Sequence, residues 1–186
     1  MIDRTRPRID AAAPIVLTWG VICLIGFPLT EWLVKNGRAG MVDSLWFVLA
    51  VLIGAPLSAY FGWRAGKRCS AMGVTPYVAR QIGWLWAVLV PNGVLWSFLV
   101  RFGLDAPYLM PFVWAGVYGS GLAVMGILYS KEWLIAGIGV FVAIPVSVLY
   151  MSYAGTLLRT TMGLCCIVPA LISMRNQVDA RKAVHA

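Results

Sequence analysis

The sequence predicts an all-α integral membrane protein, a bundle of six transmembrane helices with N- and C-termini cytoplasmic. Three observations predict it. Six apolar runs, at about 14–34, 45–63, 82–100, 107–129, 133–152 and 155–174, each approach the ~20 residues a helix needs to cross a bilayer core. The chain is 61% hydrophobic and 12% charged, with mean hydropathy +0.83, whereas soluble domains carry about 25% charged residues. Eleven of the fifteen Lys and Arg fall on one side of the six spans, as the positive-inside rule requires.

The expected plan is a basic cytoplasmic tail over residues 1–13, a six-helix domain over 14–174 and a polar cytoplasmic tail over 175–186. The first run is long and ends in Glu31-Trp32-Leu33-Val34-Lys35 with no small-residue cleavage site, so it is read as a retained helix rather than a signal peptide. An outer loop, Lys35 to Ser44, leads to the second run. The inner loop from Arg64 to Gln81 follows, and within it Thr75-Pro76 reads as an N-cap and first-turn proline, so the third helix is expected to start before its apolar run. That run, Ile82 to Val100, is too long for a buried strand and lacks the polar stripe of a soluble helix. The last three runs are joined by short connections.

Orientation follows from the basic residues. With the N-terminus inside, the inner segments hold Arg4, Arg6, Arg8, Arg64, Lys67, Arg68, Arg80, Lys131, Arg175, Arg181 and Lys182. The outer segments hold only Lys35, Arg38, Arg101 and Arg159. The net charge of +8 is thus explained by topology, and its scatter between apolar runs argues against a nucleic-acid-binding face. Arg64, Lys67, Arg68 and Arg80 are expected to contact lipid headgroups, anionic ones included, as a topology anchor. Most of the nine Trp suit the interface, while Trp84, Trp86 and Trp96 on the third span suit packing or lipid contact better than ligand stacking.

Every proposed span carries a proline, namely Pro28, Pro56, Pro91, Pro111, Pro145 and Pro169. Such prolines kink helices for packing or open them toward a cavity. Pro91-Asn92-Gly93 joins a helix breaker, an amide and a flexible residue near the middle of the third span, and is the candidate helix break or polar pathway. Asn92 is the one clearly polar amide deep in the bilayer. It can hold a neighbouring helix or line a path for a polar solute. Glu31 and Arg159 lie toward the outer ends of the first and sixth spans and form a candidate charge pair. Ala115, Gly119 and Ala123, with Gly139 and Ala143, place small residues on one face of the fourth and fifth spans and form a candidate packing seam. A short match of Leu33-Val34-Lys35-x-Gly37 with Leu99-Val100-Arg101-x-Gly103 is of the kind that consecutive hairpins produce by chance.

No catalytic, cofactor or metal constellation is expected. The single histidine, His185, lies in the tail, and Asp43 or Asp105 alone cannot do acid-base work. Cys165 and Cys166 are adjacent, pointing about 100° apart on a helix, and with Cys23 and Cys69 are read as reduced thiols. No ionisable group sits at mid-depth, where a proton relay or coupled transporter needs one. Architecturally the chain is similar to small bacterial membrane proteins with six helices, a likeness that assigns no activity. The function expected is therefore that of a non-enzymatic accessory or regulatory subunit of a bacterial inner membrane, with lipid and a membrane-protein partner or second copy as its contacts. The alternative is a small transporter or channel-like protein for a small, mostly uncharged solute.

Overall fold

A computed structural model describes the backbone of residues 12–71, 77–104, 109–128, 130–150 and 154–185, and the side chains of 12–67, 80–104, 109–128, 130–150 and 155–176. The basic tail with Arg4, Arg6 and Arg8, the Thr75-Pro76 cap and Asp105 lie outside the described residues, as do the side chains of Arg68, Cys69, Arg181, Lys182 and His185.

Described residues are helical, with no strand among them. The α-helices are α1 (Ala13–Lys35), α2 (Val42–Trp46), α3 (Ala55–Ala71), α4 (Tyr77–Phe98), α5 (Met110–Leu128), α6 (Lys131–Leu149) and α7 (Ala154–His185). Among the described residues six helical segments are long and apolar enough to cross a membrane: Ala13–Lys35, Ala39–Lys67, Arg80–Gly103, Met110–Leu128, Lys131–Leu149 and Gly155–Asn176. A bilayer would favour this choice, because a helix satisfies all its interior backbone groups within one segment. The third helix begins at Tyr77, ahead of its apolar run. The polar C-terminal stretch continues α7 as helix to His185.

Two compact units make up the chain: one of Met1–Ala79 with Cys166–Ala186, the other of Arg80–Cys165. In the first unit, α1 and the second span pack as an antiparallel hairpin. Gly54 faces Ile22 and Trp19, and a Cβ there would stand 2.9 Å from Ile22 Cδ1. Gly26 faces Trp46 and Leu49 at the same closeness, and the Phe27 and Trp46 rings lie 5.0 Å apart. Two indoles add polar clasps: Trp19 Nε1–H donates to Ser58 Oγ at 3.0 Å, and Trp46 Nε1–H donates to Thr30 Oγ1 at 3.0 Å. Thr30 in turn donates to the Gly26 carbonyl at 2.8 Å. Residues 19, 22, 26 and 30 thus oppose 58, 54, 49 and 46 in one steady register.

The second span is a composite. A 3-10 turn, Ala39–Met41, precedes α2, and a π-helical stretch, Phe47–Gly54, joins α2 to α3. Pro56 supplies a reason for the widening, because proline lacks an N–H and its ring presses on the carbonyl four residues back. The i→i−5 pattern, seen where Ala55 N–H reaches the Ala50 carbonyl, moves that carbonyl away.

α1 ends in a Schellman motif. Gly37 takes φ 71°, its N–H meets the Val34 carbonyl at 3.1 Å, and the Arg38 N–H meets the Leu33 carbonyl at 2.8 Å. The matching Gly103 instead closes a π-helical stretch, Leu99–Gly103, where Leu104 N–H reaches Leu99 at 3.0 Å. The short sequence match therefore ends two helices by different means.

In the second unit α5 and α6 make the closest helix pair. Gly126 lies on the backbone of Leu134 with no room for a Cβ, and a Cβ on Gly137 would fall 2.5 Å from Ala123 N. Gly119 faces Val140 and Phe141. Leu122, Met125, Trp133, Val140, Leu158 and Met162 are fully or almost fully buried, Trp133 at 1% exposure.

The prolines differ in place. Pro28, Pro91, Pro145 and Pro169 lie inside α-helices, Pro56 lies inside the continuous second span just after its π-helical stretch, and Pro111 occupies the first turn of α5, where the missing N–H has no intrahelical partner to lose.

Candidate functional site

The helix break expected at Pro91-Asn92-Gly93 is not formed. α4 runs from Tyr77 to Phe98 through all three residues. The magnitudes explain why: an interior proline costs a helix about 3 kcal/mol, whereas unwinding it in hydrocarbon would strand several backbone groups at several kcal/mol each. Gly93 serves contact rather than flexibility. Its Cα faces α5, where a Cβ would stand 2.9 Å from Val117 Cγ2 and 3.3 Å from the Trp114 ring.

With Gly93 turned toward α5, Asn92 stands one residue round the helix and is exposed. It lines an open groove of about 310 Å³ between α4 and α5. Leu89 and Trp96 continue the α4 wall, and Val113, Gly116 and Ser120 form the α5 wall. Gly116 has nothing within 4 Å of where a Cβ would be, which gives the groove its width. Among the described residues the Asn92 side chain makes no hydrogen bond.

The three tryptophans of this span separate cleanly. Trp86 turns inward over Gly121, at 2.6 Å from a Cβ there, with its ring 5.9 Å from that of Tyr118. Trp96 lines the groove, and Trp84 is 64% exposed. Packing accounts for Trp86, while Trp84 and Trp96 present apolar surface.

Of the seam residues, Gly119 and Ala123 do meet α6, through Val140, Phe141 and Gly137. Ala115 and Ala143 are buried. Gly139 faces another way, toward Cys165 Sγ of α7, at 3.4 Å from a Cβ on the glycine. The closest approaches belong to Gly126 and Gly137, which the sequence reading did not single out. Their signal was available, since Gly119, Ala123 and Gly126 follow 4-then-3 spacing on α5.

Glu31 carries a local partner: Lys35 Nζ lies 2.7 Å from its carboxylate one turn on. That ion pair stabilises the end of α1 by only a few tenths of a kcal/mol, as exposed i,i+4 pairs do (about 0.3–0.5). Arg159 belongs to the other unit, and its guanidinium folds back along α7 onto Gly155, 3.3 Å from a Cβ there.

At the far end of the second span, Lys67 Nζ sits 4.0 Å from the centre of the Trp63 ring, a cation-π contact at i,i+4. Tyr60 lies next to Trp63, with ring centres 6.3 Å apart. Arg64, Lys67 and Arg80 are exposed. The Trp63 and Lys67 side chains thus form the pairing of amphipathic ring and cation that a headgroup layer favours. Among the described residues no group of three or more His, Cys, Asp or Glu is gathered that could hold a metal ion.

No protein-family model, no curated protein and no solved structure matches this chain.

Proposed function

We propose that this chain is a non-enzymatic accessory or regulatory subunit of a bacterial cytoplasmic membrane. It acts through helix-helix contacts of its third span, with both termini inside and the Arg64, Lys67, Arg68 and Arg80 region against anionic headgroups. One observation carries the reading: Asn92 is exposed on a helix of membrane-spanning length and its side-chain amide makes no hydrogen bond among the described residues. An amide facing hydrocarbon without a partner is costly. A partner that supplies a donor and an acceptor turns that cost into association.

The experiment is extraction of the tagged protein from native membranes in mild detergent, with mass spectrometry of what co-purifies, for wild type and Asn92→Leu. A stoichiometric membrane protein that is lost with Asn92→Leu supports the proposal. If nothing co-purifies, or if the partner is retained by the variant, the reading fails.

The groove beside Asn92, with Ser120 across it, favours a second reading, facilitated passage of a small, mostly uncharged solute. That reading predicts lost liposome flux for Asn92→Leu with an unchanged oligomeric state.

A further inference from the structure

Asn92 does not stand alone on its helix face. Leu85, Val88, Asn92, Leu95 and Leu99 follow one another at spacings of 3, 4, 3 and 4 residues, the heptad repeat of a two-helix seam. At about 100° per residue the five fall within an arc of roughly 80°, with Asn92 near its centre. Within the unit Arg80–Cys165 four of the five are exposed, Val88 at 67%, Leu95 at 57%, Leu99 at 44% and Asn92 beside them, while Leu85 is half-buried. Exposed Leu and Val alone need nothing beyond acyl chains. The amide at the centre of the stripe needs both a donor and an acceptor at its own depth.

We propose that the occupant of this face is a second copy of the chain, paired in parallel through the third spans with Asn92 against its equivalent. This rests on the reading of the third span as a contact face and puts a second copy where the accessory role puts a foreign subunit. Two observations favour a copy over an unrelated helix. An amide is self-complementary, since Nδ2–H donates to the partner's Oδ1 while its own Oδ1 accepts in return, closing two hydrogen bonds about a twofold axis. Two copies inserted the same way also hold their Asn92 residues at the same depth, a match that a foreign helix must achieve independently. A single Asn at a core position of an otherwise apolar heptad is the arrangement that fixes register and favours a two-stranded state.

The test is energy transfer between donor- and acceptor-tagged full-length chains in phosphatidylcholine vesicles, titrated against protein-to-lipid ratio. Wild type should pair above the level of random proximity. Asn92→Leu should weaken pairing roughly three- to tenfold, the loss expected for one to two interhelical hydrogen bonds in membranes, and Asn92→Gln, which keeps the amide, should recover most of it. Leu95→Cys, with the amide intact, should give an oxidised dimer beyond that of wild type, whereas Val142→Cys on α6 should not. Absence of transfer for wild type, or equal pairing by Asn92→Leu, overturns the proposal. The co-purification experiment separates the two readings. Monomers in vesicles together with an Asn92-dependent foreign partner in native membranes would overturn pairing and leave the subunit reading standing. An Asn92-dependent pair with no foreign partner would keep pairing and overturn the accessory role.

Discussion

The α5-α6 seam gives the sharpest prediction, because its two glycines touch backbone rather than flexible side chain. In Gly137→Ala the new Cβ would stand 2.5 Å from Ala123 N and 2.8 Å from its Cα, against carbon contacts that settle near ~3.5–4.0 Å. The helices must part by about 1 Å, since a main chain cannot rotate away. A gap of that size forfeits about a quarter to a half of each contact's attraction, and about 40 atom pairs at roughly 0.1–0.2 kcal/mol each then lose on the order of 1–4 kcal/mol. This agrees with the usual cost of overpacking, about 1–3 kcal/mol. Alanine's better helix propensity, worth up to about 1 kcal/mol, opposes it. The expected net loss is about 1–2 kcal/mol. Gly126→Ala, which meets the Leu134 backbone, should lose at least as much. One separation accommodates both new methyls, so the double variant should cost less than the sum of the singles. Gly116→Ala on the same helix, with open space around it, is the control and should be neutral or slightly stabilising. The assay is unfolding in mixed micelles with increasing SDS, followed by far-UV circular dichroism. If Gly126→Ala and Gly137→Ala unfold with Gly116→Ala, the close approach of these helices is wrong.

Three further outcomes can be measured, the first two by the same unfolding assay. A double-mutant cycle on Trp46→Phe and Thr30→Val should show coupling of about 0.6 kcal/mol, the mean for interhelical bonds in membranes, and purely additive losses would exclude the indole-hydroxyl bond at 3.0 Å. Gly37→Ala should cost about 1–2 kcal/mol from backbone strain at φ 71° alone, because nothing lies within 4 Å of the added methyl; Gly40→Ala, also in open space, should be neutral, and equal stability of the two variants would refute the Schellman turn. Lys67→Gln should reduce the protein's preference for vesicles containing anionic lipid by about 1 kcal/mol, measured at low salt, and a preference that survives unchanged would remove Lys67 from the headgroup contact.

The proline-bearing third span shows where sequence reasoning stopped. Glu31 meets Lys35 four residues on, a local contact that spacing alone announces and that needs no packing of distant helices. Pro91-Asn92-Gly93 was composed like a break, but composition counts only the backbone bond that proline removes. It does not count the bonds that unwinding would forfeit in lipid, nor the use of Gly93 as a bed for Val117 and Trp114. Small residues at helical spacing indicated that α5 and α6 pack closely, yet spacing leaves the rotation of each helix open, and Gly137 rather than Gly139 turned out to face Ala123.

What the sequence determined by itself was the helical class and the six segments long and apolar enough to cross a membrane. Runs of about twenty apolar residues leave a backbone in hydrocarbon no alternative to helix, so length and composition suffice. Only the tertiary structure decided which way each helix face turns. That choice depends on contacts between residues far apart in the chain, such as Trp19 with Ser58 and Gly126 with Leu134, and every span is apolar around most of its circumference, so no polar stripe announces the buried side. Asn92 is where the two levels meet: its polarity was evident in the sequence, and its exposed position at the edge of the α4-α5 contact came from Gly93, one residue round the helix, seating against α5.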